Sequence, residues 1–376
     1  MRLLLCADDF TGALDTGVRF VKAGARAEVF LNCEVDFSAY PDTEVFIVDT
    51  ETRHVPPKEA YHTVYGLVKR AAEAGITHFY KKTDSGLRGN IGPEIEALSD
   101  ALSEKVSFVP AFPKMNRTVI GGFAYMDGVP ANESVFAKDP FEPVTVFRVT
   151  DLFSGGEACV KVFDAETDRD LEELAEKITK RGAGNVVAGC AGFAEFYAKC
   201  CGFTSLHETE IKLNAPLLVV CGSINEISLK QVDHAAANGF STVMLSAASA
   251  DAVALLRETG VCILENREES EAALSVLSKE ETEKARRDIA GRFGEKTEKI
   301  VKEGGVQTLI VIGGDTLYAA VLGMHAKSIR ILRELPGGAV LSELELEGKL
   351  LTTISKSGGF GNEDWLTDIL KEVVSE

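Results

Sequence analysis

The stretch Leu3-Leu4-Leu5-Cys6-Ala7-Asp8-Asp9-Phe10-Thr11-Gly12-Ala13-Leu14-Asp15 decides the fold. The apolar run Leu3 to Cys6 reads as a buried strand. Val18, Phe20 and Val21 begin the apolar face of a helix that Gly24 ends. Between strand and helix stand two adjacent carboxylates, a threonine and a glycine. In an open α/β sheet, ligands bind beyond the carboxyl ends of the strands. Asp8 and Asp9 therefore lie where a first loop would meet substrate. A single Asp there could simply cap the helix; two, with Thr-Gly behind them, exceed what a cap needs.

The same texture continues outward. Strand signals at Ala27 to Leu31, Val45 to Val48, Thr77 to Lys81 and Val106 to Val109 alternate with helix signals. One helix is expected over Lys58 to Ala74, with apolar positions Ala60, Val64, Leu67, Val68 and Ala71, and another from about Pro93. From Pro110 to Pro143 the pattern breaks, with Asp127-Gly128 between apolar runs as a hairpin signal. This reads as an excursion from the sheet, a lid or a subunit contact. Strand and helix signals return at Ala158 to Phe163, Asp170 to Arg181 and Asn185 to Ala188. A polar, irregular connection, Thr204 to Pro216, separates a second alternating series. That series has strands at Leu217 to Cys221, Thr242 to Leu245, Thr308 to Ile312 and Leu350 to Ile354. Its helices are expected near Glu226 to Ala237, Ala250 to Arg257 and Lys279 to Lys302, with a last one from about Asn362. The chain of 376 residues is long for one core. The expected fold class is thus α/β with two domains, each a mostly parallel sheet flanked by helices, spanning 1–213 and 214–376. The connection is short enough to serve as a hinge between them.

The formal net charge of −18 opposes nucleic-acid phosphates and argues against such a partner. It leaves small anionic substrates open, since local cations decide those. Eight cysteines, at 6, 33, 159, 190, 200, 201, 221 and 262, form no Cys-x-x-Cys pair. That pattern implies neither a zinc site nor a disulfide framework and fits a reducing compartment, so a cytoplasmic location is expected. The start does not read as a secretory leader, and no apolar run reaches membrane-spanning length.

Three polar clusters of the first half follow strands: Asp8-Asp9, Thr52-Arg53, and Lys82-Thr83-Asp84-Ser85 with Arg88. Parallel strands would bring them to one edge. Arg53, Lys82 and Arg88 could grip a carboxylate there, and the Asp and Ser side chains could bind hydroxyls, as a small polyhydroxy acid requires. The competing reading is a set of surface salt bridges. In the second half, Gly313-Gly314-Asp315-Thr316 and Lys356-Ser357-Gly358-Gly359-Phe360-Gly361 each follow an apolar strand. Glycines there let a phosphate approach the backbone, and a helix start or a nest of N–H groups favours anions. Neither loop is a Walker motif or a dinucleotide fingerprint.

Taken in order, the motifs resemble the four-carbon acid sugar kinase family, once known only as a domain of unknown function. The matching stretches are Ala7 to Ala13 with Asp15, Asp49 to Arg53, Lys81 to Asn90, Pro110 to Pro113, Arg117-Thr118, Gly128 to Pro130, Gly222-Ser223, Gly313 to Thr316 and Gly358 to Gly361. The resemblance implies ATP-dependent phosphorylation of a sugar acid such as threonate, erythronate or 3-oxo-tetronate, with an N-terminal substrate domain and a C-terminal nucleotide domain. It implies substrate contacts at Asp8 or Asp9, Arg53, Lys82, Thr83, Asp84 and Ser85, to which the cation pattern of the cluster adds Arg88. It also implies ATP contacts at Ser223, Gly313, Gly314, Asp315, Thr316, Gly358 and Gly359; the glycine loops and Lys356 would hold the phosphates, with Mg²⁺ between them on ligands the sequence does not identify. Asp8, Asp9 or Asp84 would orient or deprotonate the attacking hydroxyl. Gly86 departs from the family, which usually has Thr there, as do Phe123-Ala124-Tyr125, Lys138-Asp139-Pro140 and Ser357. A non-catalytic sensor derived from such a kinase, or a kinase for another hydroxy acid, are the rival readings. The expected partners are a small sugar acid and ATP, with no nucleic acid and no membrane; homodimer formation is left open.

Overall fold

The computed structural model describes residues 1–139, 142–180, 185–204, 212–267 and 279–374. They divide into two units, Met1–His207 and Glu208–Glu376. Residues 205–211 of the expected hinge lie outside the described residues.

In the first unit the strands are β1 (Leu3–Ala7), β2 (Ala27–Phe30), β3 (Val45–Asp49), β4 (His78–Lys82), β5 (Val106–Val109), β6 (Arg117–Ile120), β7 (Phe123–Met126), β8 (Val129–Pro130), β9 (Val160–Val162) and β10 (Val186–Gly189). Seven make one sheet in the order β2-β3-β1-β4-β10-β5-β9, every neighbouring pair parallel. Helices connect such strands and cover both faces, so β1 and β3 are apolar and buried without alternation. The helix Phe10–Lys22 buries Phe10, Ala13, Leu14, Val18 and Phe20 and carries Arg19 and Lys22 in its last turn, where cations suit the helix dipole. The helix Pro57–Glu73 buries the five positions its spacing predicts. Ile91–Leu102 begins two residues before the expected Pro93, and Asp168–Lys180 closes the predicted Asp170 region. The helix Ala191–Cys200 is not visible in the sequence pattern, because seven of its ten residues are buried and leave no polar face to mark a period.

The excursion forms a separate antiparallel sheet, β6-β7-β8. Asp127 and Gly128 both take positive φ (52° and 77°), the two-residue turn that suits the strand twist. A second such turn, at Gly121 and Gly122, donates both its N–H groups to the Asp164 carboxylate.

In the second unit the strands are β11 (Leu217–Cys221), β12 (Thr242–Met244), β13 (Val261–Glu265), β14 (Thr308–Ile312), β15 (Ile329–Leu335), β16 (Ala339–Leu346) and β17 (Lys349–Lys356). Their order is β12-β13-β11-β14-β17-β16-β15, parallel as far as β17 and antiparallel from there. The antiparallel edge, β15 and β16, is missing from the sequence reading. Ile329-Arg330-Ile331 alternates over too few residues to register, and the Glu347-Gly348 turn, positive in φ at both positions, lacks the usual Asn or Asp. β13 was also unread: Val261 follows directly on Gly260, the C-cap of the helix Ser249–Thr259, with no loop to announce it. Leu217, Val219, Ile310, Ile312, Ile354, Leu366 and Leu370 share one core. The long helix Lys279–Gly304 buries Phe293 and Ile300 fully and its earlier Ala285 and Ile289 by half, a stripe that deepens toward its end.

In both units the first strand lies between the third and the fourth: β2-β3-β1-β4 and β12-β13-β11-β14. Successive connections thus leave the first strand in opposite directions. The crevice this opens, beyond the carboxyl ends of the central strands, is where such sheets bind ligands.

Candidate active site

Register places the first unit's polar clusters side by side. Ala7 of β1 is level with Asp49 of β3 and with Lys82 of β4, so Asp8-Asp9, Thr50 to Arg53 and Thr83 to Arg88 leave the sheet together. The Thr50 N–H and hydroxyl both donate to the Ala7 carbonyl, at 2.9 and 2.7 Å, tying two of these exits together.

Asp8 is 2% exposed. Its Oδ2 takes the Arg53 Nε at 2.7 Å and its Oδ1 lies 3.4 Å from the Lys82 ammonium. Asp9 caps the first helix, accepting from the Gly12 N–H at 3.2 Å. It also pairs with Lys82 at 3.0 Å and with the Arg53 Nη2 at 2.8 Å. Burial alone would raise the Asp8 carboxyl, but Lys82 and then Arg53 outweigh it and hold it well below the usual carboxylate range. The same contacts act in reverse on Lys82: burial would lower it, and Asp8 and Asp9 hold it above its ordinary value. Beneath them Lys81 and Glu94, both inaccessible, pair at 3.1 Å, and the Thr52 hydroxyl donates to the other Glu94 oxygen. Asp49 differs from the other aspartates. It is 1% exposed, its Oδ1 accepts from the Glu51 N–H at 3.1 Å, and burial together with Glu51 pushes its carboxyl up to about 9.

The β4 loop continues the site. Arg88 grips Asp84 with two prongs, Nε to Oδ2 at 2.8 Å and Nη2 to Oδ1 at 3.1 Å, and reaches Asp139 with Nη1 at 3.1 Å. Burial would raise Asp84; the Arg88 hydrogen bond and nearby Arg53 bring it below its ordinary value. Ser85 accepts from Arg117 of β6, and Phe136 stacks against both guanidiniums, 5.3 Å from Arg88 and 4.9 Å from Arg117. A side chain at Gly86 would run into the Phe136 ring at 2.8 Å. The buried Thr83 hydroxyl has no hydrogen-bond partner among the described residues.

The structure therefore gathers Asp8, Asp9, Arg53, Lys82, Thr83, Asp84, Ser85 and Arg88 at one sheet edge. The expectation that Arg53, Lys82 and Arg88 stand ready for an incoming carboxylate meets a physical obstacle, since each is matched to aspartates of the chain itself. Four further residues, Asp49, Arg117, Phe136 and Asp139, belong to the site and were not singled out as site residues from sequence. Arg117 sits in a recognisable Arg-Thr pair; Phe136 lies on a short irregular turn that carries no periodic signal.

In the second unit, Cys221 of β11 is level with Ile312 of β14, which is level with Lys356 of β17. Gly222-Ser223, Gly313 to Thr316 and Ser357 to Gly361 therefore emerge as neighbours. Gly313 (φ 117°) starts the helix Gly314–Gly323, whose first turn no side chain caps. The loops pack glycine backbone against small hydroxyl side chains: a Cβ at Gly222 would lie 2.0 Å from the Thr316 Oγ1, and one at Gly358 would lie 2.1 Å from the Ser223 Oγ. Lys356 turns inward. It donates to the Phe360 and Ser357 carbonyls at 2.8 and 3.0 Å and lies over the Trp365 ring, and burial pulls its ammonium down to about 8. It holds the glycine turn from beneath. Asp315 points outward and pairs with Arg286 at 2.9 Å. Among the described residues no group of three or more His, Cys, Asp or Glu is arranged to hold a metal ion, and no helix is long and apolar enough to cross a membrane.

A charged cluster ends the central strands of one α/β unit, and glycine loops end those of the other, as in a two-domain α/β protein. Residues 3–157 match the family model of a sugar-binding N-terminal domain, and residues 218–366 that of a nucleotide-binding C-terminal domain. A D-threonate kinase of Bordetella bronchiseptica is 30% identical, over 96% of this chain and 95% of its own. The chain belongs to the four-carbon acid sugar kinase family. A D-threonate kinase of Salmonella typhimurium is 28% identical over 98% of both chains. The fold matches a crystal structure of a Haemophilus influenzae protein of the same former domain of unknown function (TM-score 0.78, 20% identity, 98% of this chain and 99% of that one).

Proposed function

We propose that this protein is an ATP-dependent kinase that phosphorylates a hydroxyl of a small sugar acid, a four-carbon acid such as threonate, erythronate or 3-oxo-tetronate. The observation that carries the reading is the pairing of Asp8 and Asp9 with Arg53 and Lys82 at the switch point of the first sheet. The names of relatives that align over almost the whole chain support it.

Phosphoryl transfer needs an oriented hydroxyl and neutralised phosphate charge rather than covalent help from the protein. Asp8, Asp9 and Asp84 are the candidates for orienting the hydroxyl, and they differ in access. The Asp9 side chain is 26% exposed, against 2% for Asp8 and 10% for Asp84. Asp9, paired with Arg53 and Lys82, is thus placed to accept the hydroxyl hydrogen. Asp8 fixes those two cations, and Thr83 offers the acid an unpartnered hydroxyl. In the second unit the glycine loops fit a polyphosphate, because close packing against the Thr316 and Ser223 hydroxyls leaves no room for a side chain at Gly222 and Gly358. Ser223, Gly313, Gly314, Thr316, Gly358 and Gly359 would hold the nucleotide, with Lys356 supporting the turn. When bound, MgATP supplies the phosphoryl group and the metal charge that offsets its phosphates.

The test is ADP release from MgATP with a panel of four- to six-carbon sugar acids, with the phosphorylated product identified by mass spectrometry. Acid-dependent ADP release is the expected result. Binding of acids without turnover would favour a sensor.

A further inference from the structure

We infer that Arg117, with Ser85 beside it and Phe136 behind it, is the subsite for the carboxylate of the acid substrate; this rests on the kinase reading above. The argument begins with charge. Arg53 places its fork on Asp8 and Asp9, Lys82 lies on the same two carboxylates, and Arg88 is held by Asp84 and Asp139. An anion arriving at any of these cations also meets the aspartates that flank it, and like charges at such spacing oppose each other strongly in a crevice poor in water. Arg117 forms no ion pair among the described residues. It is half-buried, and its one hydrogen bond to a side chain goes to the neutral Ser85 hydroxyl.

Geometry favours it as well. A guanidinium has five N–H donors, and here only Nη1 is engaged by a side chain, so the fork that suits a carboxylate remains. Phe136 packs against the guanidinium plane at 4.9 Å, which fixes its orientation and leaves its edge for hydrogen bonding. Ser85 brings Arg117 to the loop that carries Asp84 and Lys82, and both Lys82 and Arg117 act electrostatically on the buried Cys190 thiol. The carboxylate end of the acid would then rest on Arg117 and Ser85, with the hydroxyl-bearing carbons directed toward Asp9. Phe136 occupies the volume above Gly86 and limits how bulky the acid can be at that end.

The test compares the preferred acid with its primary amide, which keeps the hydroxyls and loses the charge. Wild type, Arg117→Met, Arg117→Lys and Arg53→Met are each assayed for turnover, and acid and amide binding is measured by calorimetry. In wild type the acid should exceed the amide by roughly 10- to 100-fold in kcat/KM, the range of a charge-assisted pair. Arg117→Met should collapse that ratio toward one by raising the KM for the acid far more than that for the amide, leaving the KM for ATP unchanged. Arg117→Lys should restore part of the preference. An acid-to-amide ratio that survives Arg117→Met, or one that collapses in Arg53→Met alone, overturns the assignment. If no acid is turned over, the kinase reading fails, and calorimetry still decides this one: acid binding that Arg117→Met abolishes supports it, and acid binding that is unchanged, or absent in wild type, rejects it.

Discussion

At the end of β1, Arg53 and Lys82 each pair with Asp8 and Asp9 at 3.4 Å or less, largely buried and mutually neutralised. At the ends of β11, β14 and β17, reached by the same strand order, the chain places glycines and small hydroxyls and turns Lys356 away beneath the loop. The first crevice is preorganised by charge pairs that must stay complete; the second is preorganised by backbone that must stay bare. A polyhydroxy acid needs many directed polar groups, whereas a polyphosphate needs N–H groups and room. The difference shows that one sheet topology supplies a location, while the loops beyond it supply the chemistry.

The largest expected effect is on the charged side. Asp8→Ala leaves Arg53 and Lys82 buried with Asp9 as their remaining carboxylate, and should destabilise the protein by about 3–5 kcal/mol in urea unfolding. A loss below about 1 kcal/mol, the size of an exposed pair, would mean that water already solvates these charges and that the contrast between the crevices is false. Next comes the glycine side. Gly358→Ala drives a methyl into the Ser223 Oγ and should cost about 1–3 kcal/mol of strain, read as a raised KM for ATP with that for the acid unchanged. Adding Ser223→Gly should relieve the strain in urea unfolding while the KM for ATP stays raised, since a nucleotide contact is lost; equal changes in both KM values would remove the assignment of ATP to this crevice.

Two smaller effects concern pH. Asp49 is held protonated up to about 9 when folded, against an ordinary carboxylate when unfolded. The folded state thus binds the extra proton between roughly pH 4 and 9, and stability from this group falls as pH rises through that window. Asp49→Asn should raise the melting temperature at pH 8 and have little effect at pH 4; a shift independent of pH would show that Asp49 is ionised. Lys356 gives the smallest effect. Its ammonium is lost above about pH 8, so ATP affinity should decline between pH 7 and 9, and Lys356→Met should flatten that decline. A decline that persists in the variant belongs to another group.

Much of this was legible from the chain. The clusters Asp8-Asp9, Thr52-Arg53 and Lys82 to Ser85 each follow a run of buried residues, and parallel pairing necessarily aligns such ends. The glycine loops after Ile312 and Lys356 are readable for the same reason. What sequence could not give was the pairing within the cluster. Nothing in the spacing of Arg53 and Arg117 says that one is matched by two aspartates and the other by none, because that depends on side-chain paths across three loops. Phe136 was invisible because a short 3₁₀ turn has no period, and β15 and β16 because a half-polar edge meander alternates too briefly.

The contact between Gly86 and Phe136 bears on how this protein can change over generations. A side chain gained at 86 first meets a ring 2.8 Å away; a ring lost at 136 first strips the packing from Arg88 and Arg117. The two positions are therefore physically coupled, and the stability effects of substitutions at 86 and 136 should not simply add.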